Sequence, residues 1–188
     1  MATVWTVGHS TRTLEGFVEL LRGHALTRVA DVRTIPRSRR NPQFNRETLP
    51  AGLPAAGIGY VHLAGLGGLR RPRGDSVNTA WRNPSFRGYA DHMQTPAFEA
   101  ALEQLLELAA GERVAVMCAE AVRWRCHRSL IADALFARGV TVQHIETPSR
   151  AVPHTLTAFA HVEGTRVTYP ESQVSFPLDR PAADAEAG

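Results

Sequence analysis

Five short apolar runs recur along the chain, and helical patterns separate most of them. The runs are TVWTVG (Thr3–Gly8), RVADVR (Arg28–Arg33), GYVHLAG (Gly59–Gly65), RVAVMC (Arg113–Cys118) and TVQHIE (Thr141–Glu146). Several are apolar at consecutive rather than alternate positions, the pattern of a strand buried on both faces. Such strands alternating with helices imply an α/β fold built on a mainly parallel sheet.

The intervening segments agree with that order. TLEGFVELLRGH puts Leu14, Phe17, Val18 and Leu21 on one helix face, with Thr13 as its cap. TPAFEAALEQLLELAAG carries a Thr95 cap, Pro96 at the first helical position, a Phe98/Leu102/Leu105/Leu106 face and a Gly111 stop. A helix from Arg128 to Arg138 ends at Gly139. Shorter helices are expected over Phe86–Met93 and over Arg46–Ala56, the latter interrupted by Pro50 and Pro54. Residues 34–45 read as a basic loop broken by Pro36 and Pro42, and residues 66–84 as a loop too long to be a mere connector. Residues 153–170 should pack back as a helix or a hairpin turning at Glu163-Gly164. Beyond Pro177 the sequence reads as a disordered tail. The expectation is one domain over residues 1–176 and a tail over 177–188.

The 188 residues suit one domain with a full core. Two cysteines supply no disulfide framework, so a reducing cytoplasm is the expected compartment. No stretch has the length of a membrane span, and MATVWTVGHS lacks the basic-then-apolar order of a signal peptide. All 21 basic residues are Arg, which favours forked contacts with phosphate or carboxylate. A net charge of +3 is too modest to indicate nucleic-acid binding by itself.

Ligands of a parallel sheet bind beyond the carboxyl ends of its strands. Here those ends carry Gly8-His9-Ser10, Asp31-Val32-Arg33, His62 before the Gly67-Gly68 loop, and Cys118-Ala119-Glu120. The stretch MCAEAVRWRCHRSLIADAL (Met117–Leu135) then holds both cysteines at one strand-to-helix junction. Unpaired N–H groups at that helix start favour an anion, and Arg123, Arg125 and Arg128 add positive charge. The expected catalytic groups are Cys118 as nucleophile and the more acidic thiol, His127 or His9 to move protons, Glu120 as shuttle or arginine holder, and Asp31. The expected substrate contacts are Ser10, Arg33, Arg123, Cys126, Arg128, His62, Gly67 and Gly68. Asp31 also reads as a structural hub, and His9 and Ser10 as caps of the first helix.

Other readings stay open. Cys118, Cys126 and His127, with or without His9, are metal donors, although the spacing matches no common zinc pattern. The cysteines also form a candidate redox pair, although not as C-x-x-C. LGGLRRPRG (Leu66–Gly74) offers glycines and arginines to a phosphate but is no P-loop, since no Gly-Lys-Ser/Thr occurs. Trp81, Arg82 and Phe86 nearby are candidates for stacking a base.

TVGHS, DVRTIPRS, YVHLAGLGG, FRGYADHM and CAEAVRWRCHRSLIA resemble the motifs of the domain of unknown function 488 family in their usual order, a resemblance taken to span Thr6 to Ile145. That resemblance carries no established reaction; it implies a cytoplasmic bacterial or archaeal domain. A weaker resemblance is to rhodanese-like domains, through Asp31-x-Arg33 and RSLIADALFARG (Arg128–Gly139). It implies a rhodanese-like or doubly wound sheet. Arg128 lies ten positions after Cys118, farther than a compact rhodanese loop allows, so sulfur-transfer or phosphatase chemistry does not carry over. The combined reading is an enzyme with a Cys/His/Arg pocket for a small anionic substrate, phosphate- or nucleotide-like, needing no cofactor and no membrane. The competing reading is a nucleic-acid-binding module using the Arg-rich loops 37–46 and 69–87, with structural cysteines.

Overall fold

The computed structural model describes residues 2–171. In chain order the elements are β1 (Thr3–Gly8), α1 (Leu14–Gly23), β2 (Arg28–Asp31), α2 (Leu49–Gly52), β3 (Gly59–His62), α3 (Pro84–His92), α4 (Pro96–Gly111), β4 (Val114–Cys118), α5 (Arg128–Phe136), β5 (Thr141–Thr147), β6 (Arg150–Pro153), β7 (His161–Glu163) and β8 (Arg166–Thr168). The main sheet runs β3-β2-β4-β1-β5-β6. Its first five strands are parallel and β6 is antiparallel to β5. The α/β expectation therefore holds in one domain.

Side chains leave successive strand positions on opposite faces, and two cores result. On one face Trp5, Val7, Val29 and Met117 pack under Phe17 and Leu21 of α1 and Leu49 of α2. On the other, Val4, Ala30, Val116 and Cys118 meet Phe98 and Leu102 of α4 and Leu130 and Ile131 of α5. Caps fix the long helices: Thr13 accepts from the Gly16 N–H and Thr95 from the Phe98 N–H.

Several boundaries differ from the sequence expectation. β2 stops at Asp31 because the Arg33 N–H turns back to the Asp31 carboxylate. β3 stops at His62, and Ala64–Leu66 is a 3-10 turn. Over Arg46–Ala56 only Leu49–Gly52 is α-helical, followed by a 3-10 turn at Pro54–Ala56. β6 was not expected; it folds back on β5 through the tight turn after Thr147. Residues 153–170 form the hairpin alternative, β7–β8, with Gly164 at φ 61°. The expected disordered tail beyond Pro177 lies outside the described residues.

A buried polar chain ties the C-terminal segment to the sheet. Thr6 Oγ1 meets His144 Nδ1 at 2.7 Å, His144 Nε2 meets His154 Nδ1 at 3.0 Å, and His154 Nε2 meets Asp133 Oδ1 at 2.9 Å. The Thr157 and Tyr169 hydroxyls both donate to Asp133 Oδ2. Burial, then the neighbouring His154, Arg123 and Arg128, lower the His144 pKa to about 3.

Two expectations follow. An added Cβ at Gly8 would collide with the Glu120 carbonyl, a backbone group that cannot swing aside. Gly8→Ala should therefore cost about 1–3 kcal/mol in denaturant unfolding. His144 is held neutral when folded, so the stability it contributes is intact above pH ~6.5 and drains as pH falls from there toward 3. Burial lowers His9 and His92 too, with the same sign. Thermal scans should show Tm falling across that window, and His144→Gln should flatten part of the slope.

Candidate active site

The strand ends finish level. Gly8 pairs with Cys118, and Asp31 pairs with both Met117 and His62. Beyond them the backbones continue to pair: the His9 N–H donates to Cys118 O (2.9 Å), the Ser10 N–H to Ala119 O (3.0 Å) and the Val32 N–H to Met117 O (3.0 Å). Ser10 takes φ 49°, a left-handed turn that sends the chain away from this edge into α1. Above the strand ends opens a cleft of about 640 Å³.

Both cysteines lie in its floor. Cys118 closes β4, Cys126 precedes α5, and their Sγ atoms are 2.6 Å apart. They are free thiols, and both are buried. Cys126 Sγ accepts from the Arg128 backbone N–H at 3.5 Å and lies 3.6 Å from His127 Nδ1. Cys118 Sγ instead faces a carbonyl, Glu120 O, at 3.6 Å. Arg128 is 2 % exposed; its guanidinium donates to Glu120 O at 2.6 Å, and its Nε has no hydrogen-bond partner among the described residues.

These surroundings set the two thiols apart. Burial pushes the Cys118 thiol well up, and its contact with Cys126 adds to that despite the Arg128 charge. Burial acts upward on Cys126 as well, but contacts with Cys118 and His127 and the charges of His127 and Arg128 bring it far below an ordinary thiol. The acidic thiol is therefore Cys126, the reverse of the sequence expectation. The physical reason is local: Cys126 faces donors at a helix start, whereas Cys118 faces a carbonyl oxygen.

His127 is held by three contacts. Its Nε2 donates to Val32 O at 3.0 Å, which leaves Nδ1 turned to Cys126. Its ring packs on Tyr89 with centroids 4.9 Å apart. A Cβ at Gly68 would lie 2.5 Å from His127 Nδ1, so only glycine lets the loop pass this ring.

Arg33 sits opposite. Its Nε and Nη2 fork onto the Asp31 carboxylate at 2.9 and 2.6 Å, Nη2 also donates to Phe44 O, and Nη1 meets His9 Nε2 at 3.2 Å. The Tyr60 hydroxyl donates to Asp31 at 2.8 Å. Asp31 is thus fully engaged and lies behind Arg33 as a hub. Both His9 ring nitrogens are occupied, since Nδ1 meets Ser10 O at 2.8 Å, and the ring stacks on Phe44 at 4.2 Å. Burial lowers its pKa, and Arg33 adds to that.

Of the other expected residues, Ser10, Gly68 and Glu120 line the cleft, as do His9 and Arg33. His62 and Gly67 do not; His62 Nε2 holds Arg33 O, and Gly67 packs against Thr34. Arg123 points elsewhere, to Glu146 at 3.4 Å and over the Trp124 ring. The 3-10 turn Arg123–Arg125 makes Arg125 the cleft residue instead. Sequence reasoning also missed Thr11, Thr34, Arg37, Ser38, Arg40 and Asn41 as cleft walls. The visible signal was the basic loop 34–45, overlapping the Arg-rich stretch 37–46 that read as a nucleic-acid surface rather than as a wall of this cleft.

Among the described residues no group of three or more His, Cys, Asp or Glu side chains is placed to hold a metal ion. His127 Nε2 is taken by Val32 O, and its Nδ1 points at a sulfur rather than beside it. No described helix is long and apolar enough to cross a membrane.

No curated protein and no solved structure matches the chain. A family model, Domain of unknown function DUF488, matches residues 13–135, from the cap of α1 through the cysteine junction and most of α5. That span covers more than half of the chain, and the chain belongs to the DUF488 family.

Proposed function

We propose that this protein is a thiol-dependent enzyme, a transferase or hydrolase, in which Cys126 attacks an anionic substrate seated in the cleft. The observation that carries the reading is the Cys126–His127–Val32 arrangement: a buried sulfur, a ring nitrogen turned to it, and a carbonyl fixing that ring from behind. A nucleophile, a base and an orienting group in sequence are what covalent catalysis requires. Cys126 replaces Cys118 as nucleophile because its surroundings stabilise a thiolate. Arg37, Arg40 and Arg125 on the cleft wall supply the charge for an anion, with Ser38 and Asn41 as further polar partners. Asp31, His9 and Tyr60 act through Arg33 by holding it, and Glu120 shapes the loop through its carbonyl.

The nucleic-acid reading has less behind it. In loop 69–87, Arg70 is engaged by Gly67 O, Arg73 by Asp75 and Arg87 by Trp81 O. Trp81 stacks on Phe86 and packs against the core, so it is not free to stack a base.

The acidic thiol is checked by alkylation against pH. Cys118→Ser should keep a thiol that reacts at pH 6 on the order of a hundredfold faster than an ordinary one, whose pKa is about 8.5. Cys126→Ser should leave only a sluggish Cys118. Gly68→Ala should displace His127 and slow the Cys118→Ser background toward the ordinary profile. If Cys126 titrates as an ordinary thiol, the reading falls.

The anion site is checked by thermal shift with inorganic phosphate or a nucleotide. Binding should raise Tm, and Arg37→Ala with Arg40→Ala should weaken it by about tenfold or more, equal to ~1.4 kcal/mol. Stabilisation that persists unchanged in the double variant would remove the cleft wall from substrate binding.

A further inference from the structure

We propose that Cys118 and Cys126 form a two-electron redox couple that exchanges with the disulfide of a small anionic thiol bound in the cleft. The proposal rests on the function proposed above, because it takes Cys126 as the attacking sulfur, and it names the substrate class.

Cys118 helps to hold Cys126 as a thiolate, and its place in direct contact with that sulfur gives it a second use as a resolving thiol. Here Cys118 Sγ lies 2.6 Å from Cys126 Sγ, and both open on the same cleft. The sulfurs reach each other from separate elements, the end of β4 and the start of α5, so the contact is built by the fold rather than by sequence neighbours. Small residues, Ala119 and Ala121, flank the pair on the cleft floor and leave room for a substrate sulfur. The walls suit an anionic disulfide. Arg37, Arg40 and Arg125 can take carboxylates, while Ile35 (63 % exposed) and Leu69 (74 % exposed) offer apolar contact to the sulfur-bearing portion.

The chemistry balances without any other reactant. Cys126 thiolate attacks one sulfur of the substrate disulfide; an S–S bond forms to Cys126, and the first substrate thiolate leaves, taking the proton that His127 holds at Nδ1. Cys118 then attacks Cys126 Sγ, its proton leaving with the second substrate thiolate. The protein pair loses two electrons and becomes a disulfide, and the substrate disulfide gains them and becomes two thiols. The order follows from charge. While Cys126 is anionic, its repulsion and burial keep Cys118 protonated. Once Cys126 is capped as a neutral mixed disulfide, that repulsion is gone and Arg128 attracts the Cys118 thiolate.

The test uses the reduced full chain, oxidised glutathione as the anionic probe, acid quench, thiol trapping and intact-mass measurement. Wild type should become lighter by two hydrogens with both thiols lost to trapping and two glutathiones released. Cys118→Ser should stop at one glutathione adduct, and Cys126→Ser should react on the order of a hundredfold more slowly at neutral pH. Neutral 2-hydroxyethyl disulfide should react about tenfold more slowly than glutathione disulfide at low ionic strength, and Arg37→Ala with Arg40→Ala should erase that preference. A wild-type protein that accumulates a stable single adduct overturns the redox couple but leaves Cys126 as the proposed nucleophile. A Cys118→Ser protein that is folded and inert overturns both. Equal rates with the neutral disulfide overturn the anionic substrate class. The wild-type mass alone decides the central point, so a variant that fails to fold does not shelter it.

Discussion

A guanidinium buried beside two sulfurs holds this site together. Arg128 is almost without solvent access, which for a cation is costly unless its charge and its donors are answered. Its charge is answered by the two sulfurs and its Nη2 by the carbonyls of Glu120 and Ala121, while Nε stays without a partner among the described residues. The same contacts pin the loop between β4 and α5 over the sulfurs. Loop conformation and sulfur ionisation are therefore one problem: a change that removes the charge releases the loop, and a change that moves the loop strands the charge.

Around that centre the strand ends act as a rigid frame. β1 and β4 go on pairing past their last residues, and this needs the bare backbone of Gly8 under the Glu120–Ala121 turn. On the far side the Asp31–Arg33–His9–Phe44 stack holds the Arg33 guanidinium in an orientation set by partners on three separate segments. Such a first wall is preorganised, since its side chains have no freedom left to lose when a ligand arrives.

Much of this was legible in the sequence. The apolar runs located five of the six main-sheet strands, because strands buried on both faces leave a continuous apolar signature. Thr95, Pro96 and Gly111 marked α4 with its true limits, because caps and breakers act locally. The four strand ends pointed to one edge, and His9, Arg33, Cys118 and Cys126 do meet there. What was not legible depended on direction and distance. β6 is short and antiparallel at a sheet edge and has no long apolar run. Arg123 and Arg125 are two residues apart on a 3-10 turn, and spacing alone does not say which faces the cleft. The relative acidity of the cysteines turned on whether each sulfur meets an N–H or a C=O, which no composition records.

The buried chain from Thr6 through His144 and His154 to Asp133 also bears on where this domain ends. Asp133 stands near the close of the family-matched region at residue 135, yet the hydroxyls that satisfy it belong to Thr157 and Tyr169. A chain severed at the family boundary would keep the carboxylate and lose His154, Thr157 and Tyr169, the three side chains that contact it. Asp133 rides on the helix that begins beside Cys126. The segment that ends in the last hairpin thus serves as a splint for the helix that begins beside the two sulfurs.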